Sequence, residues 1–135
     1  MNIRITDTRD IPLAAFLELY RLNEWSAAHK PHALYQALQN SHTLISAWKG
    51  QQLVGLGNAI SDGHLVVYYP HLLVHPDYQG QGIGKMIMDR MQESYGSFHM
   101  QMLTADGDAI KFYKKVGFKR AGQTEPMWIY QGKEH

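Results

Sequence analysis

The chain has 135 residues, 44% of them hydrophobic and 19% charged, and thirteen Lys and Arg against twelve Asp and Glu leave a net charge of +1. That length fits one core, so residues 1–135 are expected to form a single domain. The charge balance provides no general field for nucleic acid or an acidic membrane, no run reaches the ~20 apolar residues of a membrane span, and the absence of cysteine removes disulfides, thiolate metal sites and thiol nucleophiles.

The opening MNIRITDTRD lacks the apolar segment of a secretory signal, and a cytoplasmic location is the expectation. Ile3 and Ile5 alternate with polar neighbours as in a short strand. Asp10 is placed to cap a helix whose face carries Leu13, Phe16, Leu17 and Tyr20, with Pro12 tolerated in its first turn. Residues 24–31 read as a loop, and Leu34, Ala37 and Leu38 line a second helix. His42 to Trp48 and Leu53 to Ile60 form a hairpin around Lys49-Gly50, and Ser61-Asp62-Gly63 turns the chain into a long strand from His64 to Val74.

The stretch His71 to Arg90, HLLVHPDYQGQGIGKMIMDR, organises the rest. Leu72, Leu73 and Val74 end a buried strand, and Pro76, with no N–H for a ladder, stops it. Gly80, Gly82 and Gly84 follow at every second position, so the backbone turns sharply and no side chain obstructs a ligand. Ile83, Met86, Ile87 and Met91 then mark one helical face. The turn thus opens into a helix N-terminus, whose free N–H groups and dipole suit a phosphate. The ending GK[ST] of a P-loop is missing, and the third glycine comes one residue too early for G-x-G-x-x-G.

After that helix, Phe98, Met100 and Met102 alternate as a strand, which a right-handed crossover places parallel to the long one. Asp106 or Asp108 is placed to cap a last helix carrying Ala109, Phe112, Tyr113 and Val116, which Gly117 ends. Phe118 to Ala121 and Met127 to Tyr130 read as two closing strands.

Val74-His75-Pro76-Asp77-Tyr78 followed by Gln79-Gly80-Gln81-Gly82-Ile83-Gly84 resembles the coenzyme A signature of the GNAT family of N-acetyltransferases, V-x-P-x-[YF] then [RQ]-x-x-G-x-[GA]. A second stretch, Asp106 to Phe118, is similar to the family's N-x-x-A-x-x-F-Y-x-K-x-G-F, with aspartate in place of the first asparagine. The order of elements is that of the family, and the resemblance covers nearly the whole chain. It implies an α/β (α+β) GNAT fold with a mixed central sheet of about 6–7 strands and about 4 flanking helices.

The resemblance also implies an enzyme: an acetyl-CoA-dependent N-acetyltransferase that moves the acetyl group to a primary amine by direct attack in a ternary complex. Coenzyme A would be held by Leu72, Leu73 and Val74 along its pantetheine arm and by Gln79, Gly80, Gln81, Gly82, Ile83, Gly84 and Lys85 at its pyrophosphate, with Phe112 alongside. A backbone N–H near Leu73 would polarise the thioester carbonyl. Tyr113 takes the position of the tyrosine that protonates the departing thiolate in many members, although periodicity alone makes it a core tyrosine. An amine of pKa ~10.4 must lose a proton before it attacks. Many small bacterial relatives have an acidic residue three positions before the valine, where this chain has His71. Imidazole suits a base, but Tyr68 and His71 would face opposite ways unless a bulge intervenes; Tyr68, Tyr69 or a water chain are the alternatives.

The amine would lie among the first two helices and their loop, where Tyr20, Trp25, Tyr35 and Trp48 supply aromatic surface, together with Tyr68. The loop Asn23 to Ser26 and the turn Ser61 to Gly63 look similar to a bacterial and plastid branch that includes arylalkylamine acetyltransferases. The expected acceptor is a small molecule. A protein lysine or N-terminal amine, or a non-catalytic acyl-CoA sensor that kept the cleft, are the competing readings. No metal is expected: His71 and His75 lie ~13 Å apart along a strand, and His29 and His32 have no carboxylate partners nearby in sequence. Exposed terminal strands would leave a sheet edge, which makes a homodimer plausible.

Overall fold

Glycine at φ +59°, Gly50, closes the tight turn between β2 (Thr43–Lys49) and β3 (Gln52–Ser61), a conformation L side chains rarely adopt. At the next turn the Asp62 carboxylate accepts N–H bonds from His64, Leu65 and Val66, at 2.8 to 3.2 Å, and starts β4 (Val66–Val74). Those bonds favour the ionised form and hold the exposed carboxyl down at about 2. With β1 (Arg4–Thr6) and β5 (Met100–Met102) they make a sheet in the order β1-β2-β3-β4-β5, antiparallel except for the parallel pair of β4 with β5. The computed structural model describes residues 2–132.

One face of the sheet packs on α1 (Leu13–Leu22), a 3-10 turn (Ser26–His29) and α2 (Pro31–Gln39). Phe16, Leu19, Tyr20, Leu34 and Leu38 are buried there against Leu44, Leu56 and Leu73 of the strands. The other face packs on α3 (Ile83–Tyr95), with α4 (Ala109–Lys115) behind its N-terminal end. Ile83, Ile87 and Met91 are buried against Ala47, Val54 and Ala59. Two strand glycines let α3 come close: a methyl group on Gly55 would lie 2.8 Å from Ile83 Cγ2, and one on Gly57 2.8 Å from Ile87 Cγ2. No helix is long and apolar enough to cross a membrane among the described residues.

The mixed α/β architecture with four helices agrees with the expectation, and the strand count is lower than the 6–7 implied: five, among the described residues. The difference lies after α4. Residues 118–121 and 127–130, expected as strands, enter no ladder; a local turn with Gly122 N–H on Arg120 C=O and Thr124 N–H on Ala121 C=O occupies the backbone instead. Caps differ as well. Pro12, not Asp10, stands at the N-cap of α1, and Asp108 precedes α4 without a side-chain cap bond. Pro12 and its extended φ/ψ suffice to start α1 because proline gives up no bond in a first turn. The segment expected as a loop after α1 contains the 3-10 turn.

Candidate active site

The site takes shape where β4 loses its neighbour. Its pairing with β5 ends at Tyr68 and Met102, so from Tyr69 to Val74 the β5 side of the strand is open. Between Asn58↔His71 and Ile60↔Tyr68 the β3–β4 register slips by one residue, which places an extra residue of β4 opposite β3. Pro70 falls in that bulge, where its missing N–H costs no ladder bond. The slip reverses which residues face which helices: Val67 and Tyr69 pack on the α3 side, and so do Leu72 and Val74. Tyr68 and His71 therefore both face the α1 side, the condition on which the sequence reading of His71 depended.

The N–H of His71, displaced by the bulge, donates to Asn58 Oδ1 at 3.1 Å. Asn58 is 3% exposed, and its amide donates to Ser41 Oγ (3.0 Å), which donates to Ala37 C=O (2.8 Å). A buried polar chain thus ties β3, β4 and α2 together beneath His71. The sequence reading did not single out Asn58 or Ser41. An asparagine inside an apolar strand, a residue type that strands disfavour, is the signal that could have found the first.

His71 Nδ1 lies 2.7 Å from the hydroxyl of Tyr20. Tyr20 is fully buried, and loss of solvent pushes its pKa far above the usual phenol value, so the hydroxyl stays protonated. Trp25 completes the group, edge-on to Tyr20 (5.8 Å between centroids) and to His71 (5.1 Å). It gets there because Glu24 takes a left-handed φ of +59° and folds the chain back, with Trp25 N–H on Tyr20 C=O at 3.0 Å. Tyr35 and Trp48 are not brought to this group. Tyr35 packs on Phe16, and the Trp48 indole N–H donates to Ser46 Oγ under the Arg4 guanidinium. Tyr68 is exposed on β4 opposite Met102.

The open side of β4 leads to the glycine turn. His75 N–H bonds Val54 C=O of β3 at 2.8 Å, and by the alternation of a strand Leu73 also points its N–H to β3 while Leu72 and Val74 point theirs to the open side. The side chain of His75 is spent locally: its Nδ1 accepts the Asp77 N–H, and its ring packs edge-on against Tyr78. Gln79 reaches back with its amide to Val74 C=O (3.0 Å) and Asn23 Oδ1 (3.3 Å), fastening the turn to β4 and α1. Gly80 and Gly82 then take φ of +78° and +88°. Gly82 is the N-cap of α3, and the first bond in the helix runs from Met86 N–H to Gly82 C=O. The N–H groups of Ile83, Gly84 and Lys85 accordingly begin without a helical acceptor, at the positive end of the dipole. The Lys85 ammonium pairs with Asp89 one turn on, at 2.7 Å.

Gly84 faces α4, where a methyl group would come within 3.2 Å of Phe112 Cζ. Tyr113, next to it, is half-buried between the rings of Phe112 (5.0 Å) and Phe118 (5.7 Å). Its hydroxyl makes no protein hydrogen bond among the described residues, and burial pushes its pKa up to about 12. No group of three or more His, Asp or Glu side chains converges for a metal ion among the described residues.

Comparisons with known proteins identify the family. Residues 13–127 match the family model described as an acetyltransferase (GNAT) domain. The chain is 33% identical over 88 residues to ycf52, an uncharacterized N-acetyltransferase of Pyropia yezoensis, covering 61% of this chain and 51% of that protein. It is 37% identical over 54 residues to the peptidyl-lysine N-acetyltransferase YjaB of Salmonella typhimurium, covering 40% and 37% of the two. It spans about half the length of the three ycf52 relatives it matches. Among solved structures, an acetyltransferase of the GNAT family from Streptococcus pneumoniae superposes with a TM-score of 0.82 at 28% identity, over 97% of this chain and 100% of that one. The chain belongs to the GNAT family of N-acetyltransferases.

Proposed function

We propose that the protein transfers an acetyl group from acetyl-coenzyme A to a primary amine, and that the reaction runs in the gap beside Leu72 and Val74. The observation that carries this reading is the continuity of three features: an unpaired strand side, a glycine turn, and the N-terminus of a thirteen-residue helix. A pyrophosphate suits the N–H groups from Gln81 to Lys85, and Gly80 and Gly82 leave room for it. A pantetheine amide suits the N–H and C=O groups on the free side of β4, as an added strand would.

The chemistry then divides among three groups. The Leu72 N–H, turned to the gap, polarises the thioester carbonyl as negative charge develops on its oxygen. The ammonium gives one proton to His71, the neutral amine attacks the carbonyl carbon, the C–S bond breaks with its electron pair on sulfur, and the second N–H proton passes from the new amide nitrogen to the thiolate or to solvent. To serve this step His71 takes the tautomer with its proton on Nδ1, 2.7 Å from the Tyr20 oxygen, and the lone pair on Nε2. Tyr113 donates a hydrogen bond to the sulfur that leaves as thiolate. Tyr20 and Trp25 form the apolar ledge beside the acceptor nitrogen, which favours a small amine with apolar or aromatic bulk. A protein lysine is the second reading, favoured by the similarity to a peptidyl-lysine N-acetyltransferase.

The test is release of free coenzyme A from acetyl-CoA against a panel of small amines and lysine peptides, with acetyl-CoA binding measured separately by calorimetry. Turnover on one small-amine class supports the first reading, and turnover on peptides alone supports the second. Binding without turnover on either replaces both with a sensor role, and no binding overturns the coenzyme A assignment.

A further inference from the structure

A pair of side-chain amides joins the glycine turn to the loop that carries Trp25. The Gln79 amide donates to Val74 C=O at 3.0 Å and to Asn23 Oδ1 at 3.3 Å. Asn23 is itself held, its amide donating to Leu19 C=O at 2.9 Å. A backbone carbonyl only accepts, so these contacts fix which end of each amide is nitrogen, and the Asn23 oxygen faces Gln79. Val74 C=O lies on the open side of β4, because the neighbouring His75 turns its N–H to Val54 of β3. Asn23 is the C-cap of α1. The next residue, Glu24, takes the left-handed φ of +59° that returns Trp25 to Tyr20 and His71. L side chains rarely adopt that conformation, so the reversal runs against the residue's own preference.

We propose that Gln79 and Asn23 are positioning residues that couple the two substrate sites: coenzyme A laid along Val74 tightens their bridge, and the bridge fixes Trp25 beside the acceptor nitrogen. The inference rests on the coenzyme A reading above. Gln79 is exposed and Asn23 partly so, and at 3.3 Å their bond competes with water. Val74 C=O has a second lone pair, so a pantetheine N–H joins the Gln79 amide there without displacing it. The arm then covers the carboxamide, and a hydrogen bond shut off from water, in a lower dielectric, is stronger. The added hold falls beside Glu24, where the backbone is strained. Trp25 is the member of the aromatic group on which the bridge acts, since Tyr20 and His71 stand on α1 and β4 while Trp25 stands on the loop. By linkage, what the cofactor adds to the acceptor's affinity, the acceptor adds to the cofactor's.

Fluorine NMR of the full chain labelled with 5-fluorotryptophan tests this, with coenzyme A as the probe and Trp25, Trp48 and Trp128 assigned by substitution with Phe. Calorimetry on the same samples measures binding. In the parent, saturating coenzyme A is expected to shift the Trp25 resonance. In Asn23→Leu, coenzyme A should bind within about threefold of the parent while the Trp25 resonance stays that of the free protein. Asn23→Asp loses the bond to Leu19 but keeps an oxygen facing Gln79, and should regain most of the shift; the contrast separates the bridge from the end of α1. Gln79→Met cuts the bridge from the other side and should also abolish the shift, so a folding defect in one variant leaves the other to decide. A Trp25 resonance unmoved by bound coenzyme A overturns the coupling and leaves the cofactor reading intact. So does a shift as large in Asn23→Leu as in the parent, or no recovery in Asn23→Asp. Absence of binding to the parent overturns the cofactor reading, and the coupling with it.

Discussion

Replacing Tyr113 by Phe removes one oxygen and leaves the aromatic stack on Phe112 and Phe118 in place. Because the hydroxyl has no protein partner among the described residues, the folded state loses nothing measurable, and Tm is expected to stay within about 1 °C. The effect on the reaction follows from the elevated pKa. With the phenol at about 12 and a thiol near ~8.5, full transfer of the proton to the leaving sulfur is uphill by about 3.5 pK units, roughly 5 kcal/mol. In the proposed reaction Tyr113 is then expected to donate a hydrogen bond to developing charge, a contribution of about 1.5–3 kcal/mol, and not to transfer its proton fully. The expected loss is roughly 10- to 150-fold in kcat, with KM for acetyl-CoA nearly unchanged, read by release of free thiol. The pH profile supplies the sign. A group whose folded pKa is about 12 keeps its proton as pH rises from 7 to 10, so Tyr113 puts no descending limb in that window. A kcat within twofold of the parent, or a descending limb near pH 9 that disappears in the Phe variant, refutes the reasoning.

Three further substitutions probe the framework. Gly57→Ala drives a methyl group to 2.8 Å from Ile87 Cγ2, a stiff branch close to its own backbone; calorimetry should show about 1–3 kcal/mol of destabilisation, a Tm drop on the order of 5–10 °C. Gly82→Ala meets no atom within 4 Å but forces a side chain into φ +88°, so the loss of about 1–2 kcal/mol should appear mainly as a roughly tenfold weaker affinity for coenzyme A, with the global fold retained. Unchanged affinity would remove the turn from the cofactor site. Tyr20→Phe deletes the partner of His71 Nδ1 from a fully buried position; about 1–2 kcal/mol of stability and roughly tenfold in kcat/KM should be lost together, whereas an unchanged rate would separate His71 from the chemistry.

The parts of this molecule that the sequence disclosed are those whose cause is local. The glycine turn and α3 follow from residue spacing within one stretch, and the hairpin from Lys49-Gly50. What it could not disclose depends on partners far along the chain. Tyr20 meets His71 across fifty-one positions, and Ser41 meets Asn58 across seventeen. Tyr35 and Trp48 share the aromatic character of Tyr20 and Trp25, and only the tertiary fold separates core and edge from site. The closing strands failed for the same reason in reverse: Met127 to Tyr130 has the composition of a strand, but a strand exists only where another offers it a ladder.

The bulge in β4 is one such nonlocal feature, and it decides which face His71 takes. Without the extra residue, strict alternation would put His71 on the same face as Tyr69, against α3, and the imidazole would be sealed in the core. With it, Leu72 and Val74 keep their N–H groups on the open side and His71 crosses to Tyr20 and Trp25. The edge proposed for the cofactor and the side chain proposed as base thus lie on separate faces within four residues of one strand. The bulge is kept in register by Asn58, whose side-chain carbonyl accepts the His71 N–H that the ladder no longer receives. Asn58→Leu, close in volume but without the amide, removes the side-chain acceptor of that N–H and one donor to Ser41 Oγ, which keeps its own bond to Ala37 C=O, a cost of about 1–3 kcal/mol in all. If the slip at residue 70 is what places His71, kcat on the acceptor should fall at least tenfold in this variant while acetyl-CoA affinity changes less than threefold, because Leu73, in register with Leu56, and the His75 N–H on Val54 C=O still hold β4 to β3 beyond the bulge. An equal loss in both quantities would mean that Asn58 supports β4 as a whole and not the turn of one side chain.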